Sequence, residues 1–230
     1  MISIDELAEF IYQKKEREFF TEIEDKEINI YEFDQSNYSL LHVAAKVENS
    51  EAIIIKLIEL GLDIDIKNSD GNTPLIVASN YNCPNNMQTL LKYRADTTIY
   101  NNDLNSALHI TCSWNRLELT KILIEKGADV NIDAGNKRTP IINAIEAEAD
   151  IDLIEFLLDN NADVNYGSGN GTPLMFAISG RNLMLIKYLL KRGAKIKSFT
   201  NRSGENTLEF AKRVGDEEIV NYLMECAAKE

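Results

Sequence analysis

Tryptophan occurs once in 230 residues, histidine twice, cysteine three times and proline four times. The three cysteines (Cys83, Cys112, Cys226) are an odd number without metal-ligand spacing, which argues against a disulfide framework, and Cys112 reads as a buried thiol. No uninterrupted apolar run approaches the roughly 20 residues that span a bilayer. The start, Met1-Ile2-Ser3-Ile4-Asp5-Glu6, lacks a basic region followed by an apolar core, so the reading is a soluble, cytoplasmic chain with no membrane partner. No Ser/Gly/Pro-rich linker divides residues 1–230, so one elongated domain is expected. Basic charge is short as well: 24 Lys and Arg stand against 37 Asp and Glu, net -13. That disfavours nucleic acid, whose binding depends on neutralised phosphates, and favours a partner with a basic surface, although solubility alone would also account for it.

Catalytic constellations are missing too. No nucleophile stands beside a base, and the carboxylates are scattered. The glycines of Gly167-Ser168-Gly169-Asn170-Gly171 lack the lysine of a phosphate-cradling loop. Asn101-Asn102-Asp103-Leu104-Asn105 lacks the spacing and closing Glu of a calcium loop and reads as turn chemistry. His42 and His109 have no further ligands near them in sequence. The expectation is no enzyme, no cofactor and no metal.

What is present is a beat. Ser39, Thr73, Ser106, Thr139, Thr172 and Asn206, all residue types that cap helix N-termini, recur at intervals of 34, 33, 33, 33 and 34. Pro74, Pro140 and Pro173 follow three of them, at the first helical position, where a missing amide is harmless. Stops keep the same time: Gly61, Arg94, Gly127, Asn161 and Gly193 each follow a paired apolar step, Leu57-Ile58 to Leu189-Leu190. Such positions call for a left-handed backbone, which glycine adopts freely.

The runs Asp70-Gly71-Asn72-Thr73-Pro74-Leu75, Ser106-Ala107-Leu108-His109 and Leu123-Ile124-Glu125-Lys126-Gly127-Ala128-Asp129-Val130-Asn131 resemble the ankyrin-repeat pattern. The resemblance implies an all-α solenoid of stacked helix-turn-helix units with hairpin loops, capped at both ends. The units are 34–66, 67–99, 100–131, 132–166 and 167–200, between a degenerate first repeat at 1–33 and a C-terminal one at 201–230. Residues 1–33 support this reading: Ser3 and Glu6 can form a capping box, Ile4, Leu7, Phe10 and Ile11 share a helical face, and Ile28-Asn29 matches Val130-Asn131 in phase. Departures are Cys83-Pro84, from which a short second helix beginning near Asn85 is expected, Arg94 for a glycine, Leu104 and Lys137 in the glycine place of the hairpin, and Thr111-Cys112 for Ala-Ala. The two histidines are expected to bond backbone across repeats. Thr139→Ala is expected to cost about 1 kcal/mol, the usual loss of a capping hydroxyl.

The family's recognition surface comprises the hairpin tips and the outward side of each first helix. By phase it would hold Tyr38, Tyr81, Trp114 and Arg138, with Asp70, Asn72, Asp103 and Asn105 as a polar rim. Tyr81 and Trp114 fall in equivalent places on adjacent units, about 10 Å apart for normally packed helices. Trp114 lies off the stripe Leu108, Thr111, Cys112, Asn115 and should not be core. Arg181, Lys187, Lys191, Arg192, Lys195, Lys197 and Arg202 form a band without an acid, either an anion-binding site or a set neutralised by Asp216, Glu217 and Glu218. The expected function is monomeric binding of a protein partner, as an inhibitor, immunity protein or host-directed effector. An architectural scaffold without one strong site is the alternative, and acidic-ligand or nucleic-acid binding through the basic band ranks below both. Because one repeat cannot bury its own apolar face, deletion of residues 201–230 should expose the preceding repeat. Size-exclusion chromatography should then show aggregation, and an unchanged monomer with an unchanged melting temperature would contradict it.

Overall fold

The computed structural model describes residues 3–24, 29–133, 135, 138–167, 171–197 and 200–228. Among these residues the chain forms fourteen helices and no strand. It divides into two units, Met1–Thr111 with Glu118–Ala128, and Cys112–Leu117 with Asp129–Glu230. In the first unit α1 (Ile4–Tyr12) packs on α2 (Glu16–Ile23), α3 (Leu40–Lys46) on α4 (Glu51–Glu59), and α5 (Pro74–Tyr81) on α6 (Pro84–Lys92). The first helices form a row, α1 against α3 against α5. The boundary runs through α7 (Ala107–Ser113) and the start of α8 (Leu117–Glu125). The second unit pairs α9 (Pro140–Glu146) with α10 (Ile151–Asp159), α11 (Pro173–Ser179) with α12 (Leu183–Lys191), and α13 (Thr207–Val214) with α14 (Glu217–Ala227). There α9, α11 and α13 form the row.

Small residues let these rows close up: Ala44, Ala45 and Ala78 in the first unit and Ala144, Ala177 and Ala211 in the second are buried on the first helices. The second helices insert Leu57, Leu90, Leu123, Leu157 and Leu189, all fully buried. Each such leucine contributes roughly 1.5–3 kcal/mol by leaving water.

The five stops use one device. Gly61, Arg94, Gly127, Asn161 and Gly193 are all left-handed, with φ of 93°, 70°, 92°, 68° and 94°. In each case the stop residue and its successor return two amides to the helix: Gly61 N bonds Ile58 O at 2.9 Å and Leu62 N bonds Leu57 O at 3.1 Å, and Gly193 N bonds Leu190 O at 3.0 Å and Ala194 N bonds Leu189 O at 2.9 Å. The paired apolar step therefore supplies both the accepting carbonyls and a buried side chain.

Hairpin tips rest on one side chain each. The side-chain oxygens of Asp34, Asn68, Asn101 and Asn201 each accept two amides, from residues two and four positions on. This confirms turn chemistry at Asn101–Asn105. The place of the family glycine is left-handed whatever occupies it: Asn37 at 58°, Gly71 at 75°, Leu104 at 61° and Gly204 at 76°. At Gly71 the glycine is needed twice over, because an added Cβ would meet the Asn102 amide nitrogen at 2.9 Å. The Ile28, Lys137 and Ser168–Asn170 readings fall outside the described residues.

Ser3 caps α1 in a reciprocal box with Glu6, as expected, and Ser39, Ser106, Thr73, Thr172 and Asn206 cap their helices. Thr139 does not. Its backbone is extended in the capping position, but its hydroxyl makes no cap bond and stays buried without a partner among the described residues. The expected short second helix after Cys83 is also corrected: α6 starts at Pro84 and runs nine residues, the length of α4 and α8. Proline suits that first turn, and the buried Asn86 anchors it by donating to Ala44 O and Val47 O and accepting from Ser50 N.

His42 behaves as expected. Its Nδ1 accepts from the Ser39 amide at 3.2 Å and its Nε2 donates to Asn72 O at 2.9 Å, one repeat on. Burial pushes its pKa below the ordinary value, so the ring stays neutral.

A leucine at φ 61° is strained by about 1 kcal/mol. Leu104→Gly should therefore raise stability by several tenths to about 1 kcal/mol, seen as a higher urea midpoint. In the same assay Thr73→Val should cost about 1 kcal/mol. Thr139→Val, which removes a hydroxyl without a partner, should be neutral or stabilising.

Candidate functional site

Tyr12 ends α1, Lys46 ends α3 and Tyr81 ends α5, so three consecutive first helices deliver side chains to one place. The Lys46 ammonium lies 5.3 Å from the Tyr12 ring centre, 5.5 Å from that of Tyr38 and 4.9 Å from that of Tyr81. All three fall within the range of cation–π attraction. Tyr38 is itself held edge-on by His42, with centroids 5.7 Å apart. Burial works against the charge on Lys46, yet Tyr12 and Tyr81 outweigh it and hold its pKa above the usual lysine value. Burial, then Tyr81, pushes the Tyr38 phenol up, with Asp70 adding to the shift and Lys46 opposing it. Tyr12 and Tyr81 remain 41% and 47% exposed. Lys46 is thus a cation held among three rings on an open face.

In the second unit Trp114 is 61% exposed, so it is not core. The reason differs from the expected one. α7 stops at Ser113, and Asn115 is left-handed at 51°, so a helical phase does not extend to Trp114. Asn115 is exposed rather than on a buried stripe, and bonds Asp150 in both directions: its Nδ2 donates to Asp150 Oδ2 at 2.7 Å and its Oδ1 accepts from Asp150 N at 3.1 Å. Trp114 therefore projects from a pinned turn, with the Arg116 guanidinium 5.7 Å from its ring centre. Arg138 is engaged by Glu146 in an ion pair and by Asn143.

The rim residues separate by exposure. Asp70 and Asp103 are exposed at hairpin tips and Asn105 is half-buried. Asn72 does not belong to a rim: it is 9% exposed, and its Oδ1 accepts from Asn101 Nδ2 at 2.9 Å. Four of the seven basic-band residues have partners within the chain, though not the expected acids. Arg181 donates to Val214 O and Lys197 to Ala227 O, completing the C-terminal ends of α13 and α14. Arg192 pairs with Asp159 at 2.7 Å, and Lys187 lies over Tyr222 at 5.2 Å. Lys191, Lys195 and Arg202 are exposed.

Family models described as ankyrin repeats match residues 93–168 and 141–230, and a further one matches 57–111. The chain is an ankyrin-repeat protein. It is similar to the ankyrin repeat protein FPV031 of fowlpox virus (strain NVSL), 31% identical over 185 residues, covering 76% of this chain and 53% of that one. The B-cell lymphoma 3 protein homolog of Mus musculus is 27% identical over 130 residues, covering 54% of this chain and 29% of the relative. The chain thus spans about half or less of the length of these relatives. Among solved structures, the ankyrin repeat domain of Bcl-3 superposes with a TM-score of 0.82 at 22% identity over 95% of this chain and 97% of that one. The human ASB11 ankyrin repeat domain gives 0.78 at 24% identity over 95% and 96%. Ankyrin repeats are protein–protein interaction modules, typically non-catalytic, and among the described residues no helix is long and apolar enough to cross a membrane.

Within this ankyrin array the sequence reading named Tyr38 and Tyr81 but missed Tyr12 and Lys46. A signal existed. Tyr12 stands nine residues after the Ser3 cap, one beyond the eight-residue offset of Tyr81 from Thr73 and of Trp114 from Ser106, so it falls just outside the phase that marks the other two.

Proposed function

We propose that this chain binds a protein partner through the hairpin tips and the C-terminal ends of its first helices. The observation that carries this is the exposure of large aromatics there: Tyr12, Tyr81 and Trp114 are 41%, 47% and 61% exposed. Tyr and Trp are enriched among residues that dominate binding energy. In the first unit the patch is Tyr12, Tyr38, Lys46 and Tyr81, with Asp70 and Asp103 beside the hairpins. In the second it is Trp114, with Arg138 as a subsidiary contact. The net charge of -13 favours a partner with a basic surface. A monomeric, cytoplasmic or host-delivered inhibitor fits these features. An architectural role is less favoured, because a scaffold does not need a protruding tryptophan at a pinned turn.

Trp114→Ala should leave the thermal melt within about 0.5 kcal/mol of the parent, the usual range for exposed substitutions. Binding should fall by about thirtyfold, since losing a hot-spot aromatic costs about 2 kcal/mol or more. Affinity capture from the source organism with parent and Trp114→Ala baits, followed by mass spectrometry and titration of the protein recovered, makes the comparison. A destabilised variant that still binds once folded would make Trp114 a packing residue and misplace the site.

A further inference from the structure

The ring cluster on the first unit fits one kind of partner chemistry. Its three aromatic rings surround one point, and a cation already sits there at 4.9–5.5 Å from each centre, with the Tyr12 and Tyr81 hydroxyls also acting on it. Ring faces are electron-rich and attract cations, with a guanidinium favoured because it is flat and weakly hydrated. The backbone adds to this. Tyr12, Lys46 and Tyr81 are the last residues of α1, α3 and α5, which lie side by side, so the C-termini of three neighbouring helices, each the negative end of its dipole, line the cluster. Asp70 lies close enough to act on Tyr38, and the chain as a whole is net -13. Faces, dipoles and net charge all favour a positive ligand.

Building on the partner-binding reading above, we propose that the Tyr12–Tyr38–Tyr81 cluster is a cation-accepting cage that receives an arginine or lysine side chain from a basic partner segment. Lys46 is its internal occupant in the free protein. The partner's cation takes the ring faces, and Lys46, at the end of its helix on a flexible four-carbon stem, swings out to solvent. Such an occupant keeps the rings apart and oriented before binding, and it competes with weakly binding cations. An anionic partner would need the opposite arrangement, an ammonium pointing outward with the rings behind it, whereas here the ammonium lies within 5.5 Å of all three ring centres.

The sign of the Lys46 effect decides between these. A fluorescein-labelled decapeptide of alternating arginine and glycine, with a glutamate–glycine counterpart, is titrated with the full chain by fluorescence anisotropy at physiological ionic strength. Lys46→Ala should tighten the arginine peptide about threefold to tenfold, the range of a cation–π contact of about 1 kcal/mol. Lys92→Ala on α6 makes the same change in net charge elsewhere and should alter affinity less than twofold. Tyr12→Leu combined with Tyr81→Leu keeps the charge and should weaken binding about threefold or more. Circular-dichroism melts check each variant, and tyrosine ring-proton shifts in the parent report occupancy independently of any variant. The assignment is overturned if Lys46→Ala gains no more than Lys92→Ala, if the leucine variant binds like the parent, or if the glutamate peptide binds more tightly, which would make Lys46 an anion anchor. The wider reading fails separately. If the captured partner is lost with Trp114→Ala while the peptides ignore the rings, the binding face stands and the cage does not.

Discussion

A helix of nine residues has more unpaired end groups than internal hydrogen bonds, and among the described residues none of the fourteen helices exceeds eleven residues. Helices this short are not stable alone in water. The fold therefore depends on how backbone polar groups are satisfied at the ends, and the period of the sequence is largely a period of end solutions. Side-chain caps close most of the first-helix starts, left-handed residues close the stops of five second helices, and Asx side chains close hairpins between repeats. Apolar packing holds the helices together only once each end can be buried without an orphaned amide or carbonyl.

This explains which features could be read from the sequence. Ser39, Thr73, Thr172 and Asn206 act through bonds to residues two or three positions away, so a local pattern was enough. The stops were equally legible, even with Arg94 and Asn161 for glycine, because the geometry after Leu90-Leu91 and Leu157-Leu158 demands a left-handed residue whatever its identity. Thr139 fails without any distant partner among the described residues to explain it, since its hydroxyl makes no bond to its own helix. The other failures came where a distant group decides the outcome. The helix α6 reaches full length because Asn86 bonds carbonyls some forty residues earlier in sequence. Trp114 is exposed for a reason lying in the Asn115–Asp150 pair rather than in helical phase.

The basic band carries the same lesson. From charge alone, a run of cations without acids pointed to an anion site or to nearby carboxylates. The structure gives Arg181 and Lys197 a third kind of partner, the carbonyls of Val214 and Ala227 at helix ends. A cation at a helix C-terminus is favoured by hydrogen bonding and dipole together. Sequence reading of charge overlooks such pairings, because the acceptors are backbone atoms and carry no letter of their own.

Cations over rings recur through the chain: Arg116 over Trp114, Lys187 over Tyr222, Arg192 over Tyr188 and Arg213 over Phe210. In each of these one ring meets one cation, and both sit on the same or the adjacent repeat, as expected where long side chains lie along a surface. Lys46 differs in number and in origin, since its three rings come from three successive repeats and close around it at helix ends. A single pair can form by chance of spacing. Convergence from three repeats requires the array to be assembled, which ties this feature of the surface to the stacking that makes the fold.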